Sequence, residues 1–399
     1  MLRLKMRKIT KGFRKRILAL SFGLLLALII PELVIRFGPW DAPSGVTAAI
    51  DLRDNSWTVP HELLGYVPAV DADQTLITFD YSSFHLRTSP TAIDGVGFRG
   101  TYDGSRPCTL LVGDSFAMSA GVEEADTLAV QLSKETGQSV LNFGVSGYGP
   151  QQTGLRLFDH GLAYQPETVI WTFFGNDFTD AVALEHWVDK GRPAPGAESS
   201  RLRAWRNTYW ATYKLYRHLS GYHSSRREHW QQGETEYLFT YDLENELDLK
   251  SETIQDGMEV LRRELLRFAT GAETQGYRPV LVLFPFKEQT YEPEFRAVAR
   301  RDTTGMELHA AYAAVTELGA ELGIYTLDLT EALREARQQQ LYFVTDPHLT
   351  AAGNRVAARA IAEFLEECER SSIGDKSSSR DEGSPRPRTR KDTLEPSEK

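Results

Sequence analysis

The stretch Cys108-Thr109-Leu110-Leu111-Val112-Gly113-Asp114-Ser115 decides the reading of this chain. A short continuous apolar run fits a strand buried on both faces, and the Gly-Asp-Ser that ends it reads as a turn at the strand's carboxyl end. The same grammar recurs downstream. Strands are expected at 139–143, 168–174, 279–284 and 324–327, with helices near 127–136, 151–161, 254–270, 305–322, 330–338 and 350–367. Strands alternating with helices imply βαβ units and a parallel, doubly wound sheet over residues 107–370.

Outside that core the chain changes character. Residues 36–106 carry Pro39, Pro43, Pro60 and Pro68 and read as an extension of turns and short strands packed on the main domain. Within it, Gly97-Phe98-Arg99 looks like a turn with one anchoring aromatic. The segment 181–249 breaks the rhythm and is rich in Trp, Tyr, Arg and His, for example Trp205, Tyr209 and Trp210. It reads as a charged, solvated helix pair, as a cap over the mouth of a site, or as an interfacial element lying on the membrane surface. Residues 371–399 hold almost no large apolar side chain, so they cannot offset their ordering entropy and are expected to be disordered.

The net charge is −10 over 399 residues, which argues against a nucleic-acid partner. The first sixteen residues are the exception: Arg3, Lys5, Arg7, Lys8, Lys11, Arg14, Lys15 and Arg16 occur with no acidic residue. An apolar stretch then fills 17–35, broken only by Glu32. Its length approaches the ~20 residues that cross a bilayer core as a helix. Lys and Arg on one flank predict a cytoplasmic N-terminus and an exported remainder, giving a single-pass, extracytoplasmic protein. A cleaved signal peptide and a buried core helix are the alternatives. The two cysteines, Cys108 and Cys368, fall at the same sheet edge in such a fold, so one disulfide and two buried thiols both remain open.

In open α/β sheets, ligands sit outside the carboxyl ends of the strands. Ser115 lies directly after the first such strand. A serine needs a base to act as nucleophile, and His348 in Asp346-Pro347-His348 is the natural candidate, with Asp346 orienting the ring. The Ser115 and Gly144 backbone N–H groups and the Asn176 amide could donate to an oxyanion, each worth about 3–4 kcal/mol. Each residue also has a plainer role: Ser115 and Asp346 as helix caps, Asn176 as a turn residue, His348 as a satisfied histidine at a helix start. The histidines show no metal-ligand spacing, and no cofactor is expected.

These residues resemble the blocks of the SGNH (GDSL) hydrolases. Gly113-Asp114-Ser115-Phe116 is similar to the nucleophile block, Asn142-Phe143-Gly144 to the glycine block, and Gly175-Asn176-Asp177 to the asparagine block. Asp346-Pro347-His348, followed by Leu349-Thr350-Ala351-Ala352-Gly353, resembles the final Asp–His block. The resemblance covers roughly two thirds of the chain. It implies a three-layer α/β/α, flavodoxin-like fold and metal-free hydrolysis or transfer of acyl groups carried by a polysaccharide, a lipid or a small ester. It assigns Ser115, His348 and Asp346 to a triad, and Gly144 and Asn176 to the oxyanion hole. The acid and base are spaced D-x-H rather than D-x-x-H, resembling exopolysaccharide O-acetylating relatives. A catalytically silent, glycan-binding domain is the non-enzymatic rival. Asp114, Asp177, Lys287 and Glu288 are further pocket candidates; a surface ion pair is the other reading of Lys287 and Glu288.

Overall fold

A computed structural model describes residues 11–37, 57–77, 83–91, 95–102, 104, 108–192, 212–213, 215–216, 219 and 227–378. Its strands are β1 (Thr58–His61), β2 (Gly65–Pro68), β3 (Asp73–Ile77), β4 (Ser83–Pro90), β5 (Gly97–Arg99) and β6 (Cys108–Val112). They continue with β7 (Ser139–Asn142), β8 (Thr168–Phe173), β9 (Arg227–Gln232), β10 (Thr235–Thr240), β11 (Arg278–Leu283) and β12 (Tyr325–Asp328).

One eight-stranded sheet, in the order β12-β11-β8-β6-β7-β5-β4-β3, organises the molecule. Five strands, β6, β7, β8, β11 and β12, pair in parallel. Their side chains are apolar on both faces because helices cover both: Leu110, Leu111, Val169, Ile170, Phe173 and Val280 through Leu283 have no exposed surface. Each such side chain stabilises the fold by about 1.5–3 kcal/mol through burial. The helices Pro150–Asp159, Asp177–Asp189 and Glu252–Gln275 pack together, and Leu128–Thr136, Thr330–Glu335 and Ala351–Ser378 form a second group. The fold is the expected α/β/α arrangement.

The sheet is mixed rather than wholly parallel, which corrects the sequence reading. The extension does not merely pack on the domain: β3, β4 and β5 continue its sheet in antiparallel order, β5 meeting β7 at Arg99 opposite Asn142. In β4 burial alternates, with Phe84, Leu86 and Thr88 turned inward, the period of a strand with one solvated face. Among its described residues, the insertion contributes most of the helix Asp177–Asp189, which packs on the sheet, an antiparallel β9–β10 hairpin and the short helix Leu243–Glu246. Trp205, Tyr209 and Trp210 lie outside the described residues, as do the first ten residues of the basic leader, 38–56, and 379–399 of the tail. The last helix runs to Ser378, past the Arg370 boundary where disorder was expected. Both cysteines are buried as thiols and no disulfide joins them.

The N-terminal helix Lys11–Phe37 contains the apolar window Leu18–Ile35, long and apolar enough to cross a membrane, with mean hydropathy 2.5 and none of it buried against the protein. Glu32 is not stray in this run. Its carboxylate accepts from the backbone N–H and hydroxyl of Thr212 at 2.8 and 2.9 Å.

Candidate active site

The carboxyl ends of β6, β7, β8 and β11 meet on one rim, together with the loop 341–350. Gly113 leaves β6 at φ +146°, and a Cβ there would stand 2.0 Å from the Thr172 hydroxyl, so only glycine lets the chain turn against β8. Asp114 then caps the four-residue helix Ser115–Met118, its carboxylate accepting from the Phe116 N–H at 2.8 Å. That cap is taken by Asp114, which frees Ser115 from the plain capping role. Ser115 sits at the helix start, 6% exposed.

His348 Nε2 lies 2.7 Å from Ser115 Oγ, so with Nδ1 protonated the hydroxyl donates to Nε2. The Nδ1–H in turn donates to Asp346 Oδ1, which also accepts from the His348 backbone N–H at 2.8 Å. This double use explains how D-x-H spacing works. A carboxylate two residues before an N–H closes an Asx-type turn, and the same oxygen is then in reach of the following ring. A bridge between Tyr342 and Leu349 closes the loop behind it. Phe116 backs the imidazole, ring centres 5.1 Å apart, and stacks on Phe174 at 4.3 Å.

The charges agree with a poised base. Burial alone would push the Asp346 carboxyl up, but contact with His348 and the charge of Lys287 hold it below the usual carboxylate range. Burial would push His348 down, yet Asp346, by charge and hydrogen bond, and then Asp114 raise it above its ordinary value. The Asp114 carboxyl is raised by burial.

The two expected oxyanion donors are less simply placed. The Gly144 N–H donates to the Asn142 side-chain oxygen at 3.0 Å, and the Asn176 amide donates to Asp180 Oδ2 at 3.0 Å. Each donor therefore has an acceptor of its own in this state. Gly144 itself is required sterically: a Cβ would meet the Met118 nitrogen at 2.2 Å. Asp180 was not singled out from the sequence. Burial, with the charge of Asp114, raises its carboxyl to about 7. Asp177 is buried, accepts from the Phe174 N–H at 3.2 Å, and is raised by burial and by the neighbouring Asp114.

Lys287 and Glu288 neither line an open pocket nor form a surface pair; each is 2% exposed. Arg99, read only as part of a turn, is a second functional surprise. Its guanidinium donates to the carbonyls of Met118, Ser119 and Val122 at 2.6–2.8 Å, holding the chain that follows the Ser115 helix. An arginine after a glycine and an aromatic in a turn was the available signal. Beside His348 lies a cavity of about 230 Å³, lined by Trp57, Leu76, Phe84, Met118, Ala120 and Phe343.

A model of the SGNH hydrolase-like domain of the acetyltransferase AlgX matches residues 231–390, a stretch that contains Asp346 and His348 but not Ser115. No curated protein matches the chain. Among solved structures, it is similar to a lipolytic protein of the G-D-S-L family from Desulfitobacterium hafniense DCB-2, at 15% identity and TM-score 0.35 over 65% of this chain and 99% of that one. It is similar also to Axe2, an acetylxylan esterase from Geobacillus stearothermophilus, at 13% identity and TM-score 0.35, over 66% and 95%. The acetyl xylan esterase AlAXEase gives 10% identity and TM-score 0.34, over 64% and 97%.

Proposed function

From the premise that this chain carries an SGNH hydrolase-like domain, we propose that it is an exported, membrane-anchored serine esterase acting on O-acyl, chiefly O-acetyl, esters. The observation that carries this reading is the continuous relay from the Ser115 hydroxyl through His348 to Asp346. Ser115 Oγ attacks the ester carbonyl carbon while its proton passes to His348 Nε2. The tetrahedral intermediate collapses, the C–O bond to the alcohol breaks, and the alkoxide takes that proton. Water then attacks the acyl-enzyme, gives its proton to His348, and Ser115 leaves with it as the free acid departs. Asn176 and the Gly144 N–H serve the oxyanion by exchanging Asp180 and Asn142 for it as charge develops. The cavity beside His348, walled by Trp57, Leu76, Phe84, Met118 and Phe343 and reaching Ser146 and Asp346, suits an uncharged acyl group held against the imidazole. The basic leader and the exposed Leu18–Ile35 window support anchoring with the N-terminus in the cytoplasm.

Ser115→Ala should lower turnover of p-nitrophenyl acetate by about 10⁴-fold or more with the fold intact. Unchanged turnover, or no labelling of Ser115 in the wild type by a fluorophosphonate, would point to the silent, glycan-binding alternative. A second reading, transfer of the acyl group to a sugar hydroxyl, is favoured by the acetyltransferase named in the matched family model. The two differ only in what attacks the acyl-enzyme. Following acetyl transfer to an added oligosaccharide separates them.

A further inference from the structure

Lys287 is a charged side chain sealed inside the molecule, and the triad chemistry does not consume it. It opens the short helix Lys287–Thr290, just beyond the end of β11. Its ammonium donates to the Val344 carbonyl at 2.9 Å and lies 3.4 Å from the Asp346 carbonyl. The Val344 carbonyl also accepts the Leu238 N–H of β10 at 2.9 Å. Next in sequence, Glu288 accepts the Thr240 N–H of β10 at 2.7 Å, and its carboxylate, like that of Asp346, feels the charge of Lys287. The helix start is itself fixed, the Phe286 N–H donating to Gln289 at 2.7 Å.

We infer that Lys287 is a positioning residue for the acid–base half of the triad, tying the loop that bears Asp346 and His348 to the end of β11 and to the β9–β10 hairpin. A buried ammonium is costly unless its donors are satisfied, and here the partners include the backbone carbonyls of Val344 and of Asp346, the residue that orients the imidazole. A methionine could fill the space, but it could not hold either carbonyl. The D-x-H turn is short, so a shift of the Asp346 backbone moves the ring directly relative to Ser115 Oγ. The inference rests on the serine-esterase reading.

The test uses the full chain with p-nitrophenyl acetate and a fluorophosphonate probe. Lys287→Met should lower kcat by about 10²-fold, the scale of a misplaced catalytic group, with KM little changed. Its acidic limb in kcat/KM should move to higher pH, because loss of a cation beside Asp346 favours the imidazolium. Lys287→Arg should restore part of kcat. Since Lys287→Met leaves Glu288 buried without that partner, the pair Lys287→Met with Glu288→Gln serves as the folded control. It should regain thermal stability while staying slow. Wild-type kcat and an unmoved limb in that pair would overturn the inference. Failure of the wild type to label would instead remove the esterase reading, and this inference with it.

Discussion

Two segments lie outside the βαβ rhythm, and they attach to the site in opposite ways. The extension, residues 57–102, joins the main sheet by backbone hydrogen bonds and reaches the nucleophile side through Arg99 and the apolar cavity through Trp57, Leu76 and Phe84. The β9–β10 hairpin never enters the sheet. It is held from behind by an aromatic cluster, in which Tyr237 packs on Tyr291 at 4.5 Å and on Trp230 at 6.0 Å, and it supports the loop carrying Asp346 and His348. The comparison teaches that the two sides of the site are braced by different segments. The extension, read as packing on the main domain, holds the Ser115 side and lines the cavity, and the described part of the insertion, read as a helix pair or a cap, braces the loop of Asp346 and His348.

The largest effect expected from this division is at Arg99. Its guanidinium is 3% exposed, and Arg99→Met leaves three carbonyls after the Ser115 helix without their donor. A loss of about 3 kcal/mol or more in unfolding free energy should appear as a lower denaturant midpoint, with turnover falling as well. A stable, fully active variant would mean that the extension does not hold the nucleophile.

On the hairpin side, the Tyr237 hydroxyl donates to Tyr291 Oη at 2.8 Å and accepts the Leu341 N–H at 2.9 Å. Tyr237→Phe strands that buried N–H and should cost about 1–3 kcal/mol. Its KM should not change, because the residue does not line the cavity. A changed chain-length preference there would break the proposed separation.

Ala120 sharpens the other half. It lines the cavity, so Ala120→Leu should fill it and select against butyryl and longer esters by about 10-fold relative to acetate. Equal loss for every chain length would show that the cavity does not receive the acyl group.

The legible part of the fold is the part with local cause. Runs such as Leu110-Leu111-Val112 can be read as buried parallel strands because both faces must be apolar, and β6, β7 and β8 each lead into a glycine-bearing turn, at Gly113, Gly144 and Gly175. The strands β3 to β5 pair locally with one another, but they reach the main sheet only where Arg99 of β5 meets Asn142 of β7, so the short strands of this segment are legible and their place at the sheet's edge is not. Ser115 at a strand end, and Asp346 and His348 just before the last helix, were legible because the proposed chemistry needs those residue types in those places. Lys287 was not, because a lysine after a strand normally reaches water; only closure by the hairpin and the loop 341–350 buries it. Asn176 and Gly144 were picked out by type and place, but their acceptors, Asp180 and Asn142, are set by side-chain geometry that no motif encodes.

The smallest expected effect tests whether the two halves of the site communicate through charge. Asp114, on the nucleophile side, is one of the groups that raise His348, alongside Asp346. His348 acts as base only when neutral, so activity should fall as pH drops through its raised value, and the acidic limb of kcat/KM should lie above the ordinary imidazole range. Asp114→Asn keeps an oxygen for the Phe116 N–H, and hence the helix cap, but removes a negative charge that favours the imidazolium. The limb should therefore move to lower pH, with kcat on the plateau little altered. A limb that stays in place would mean that the charge felt by His348 comes from Asp346 alone, and that the nucleophile and base loops are joined by geometry and not by electrostatics.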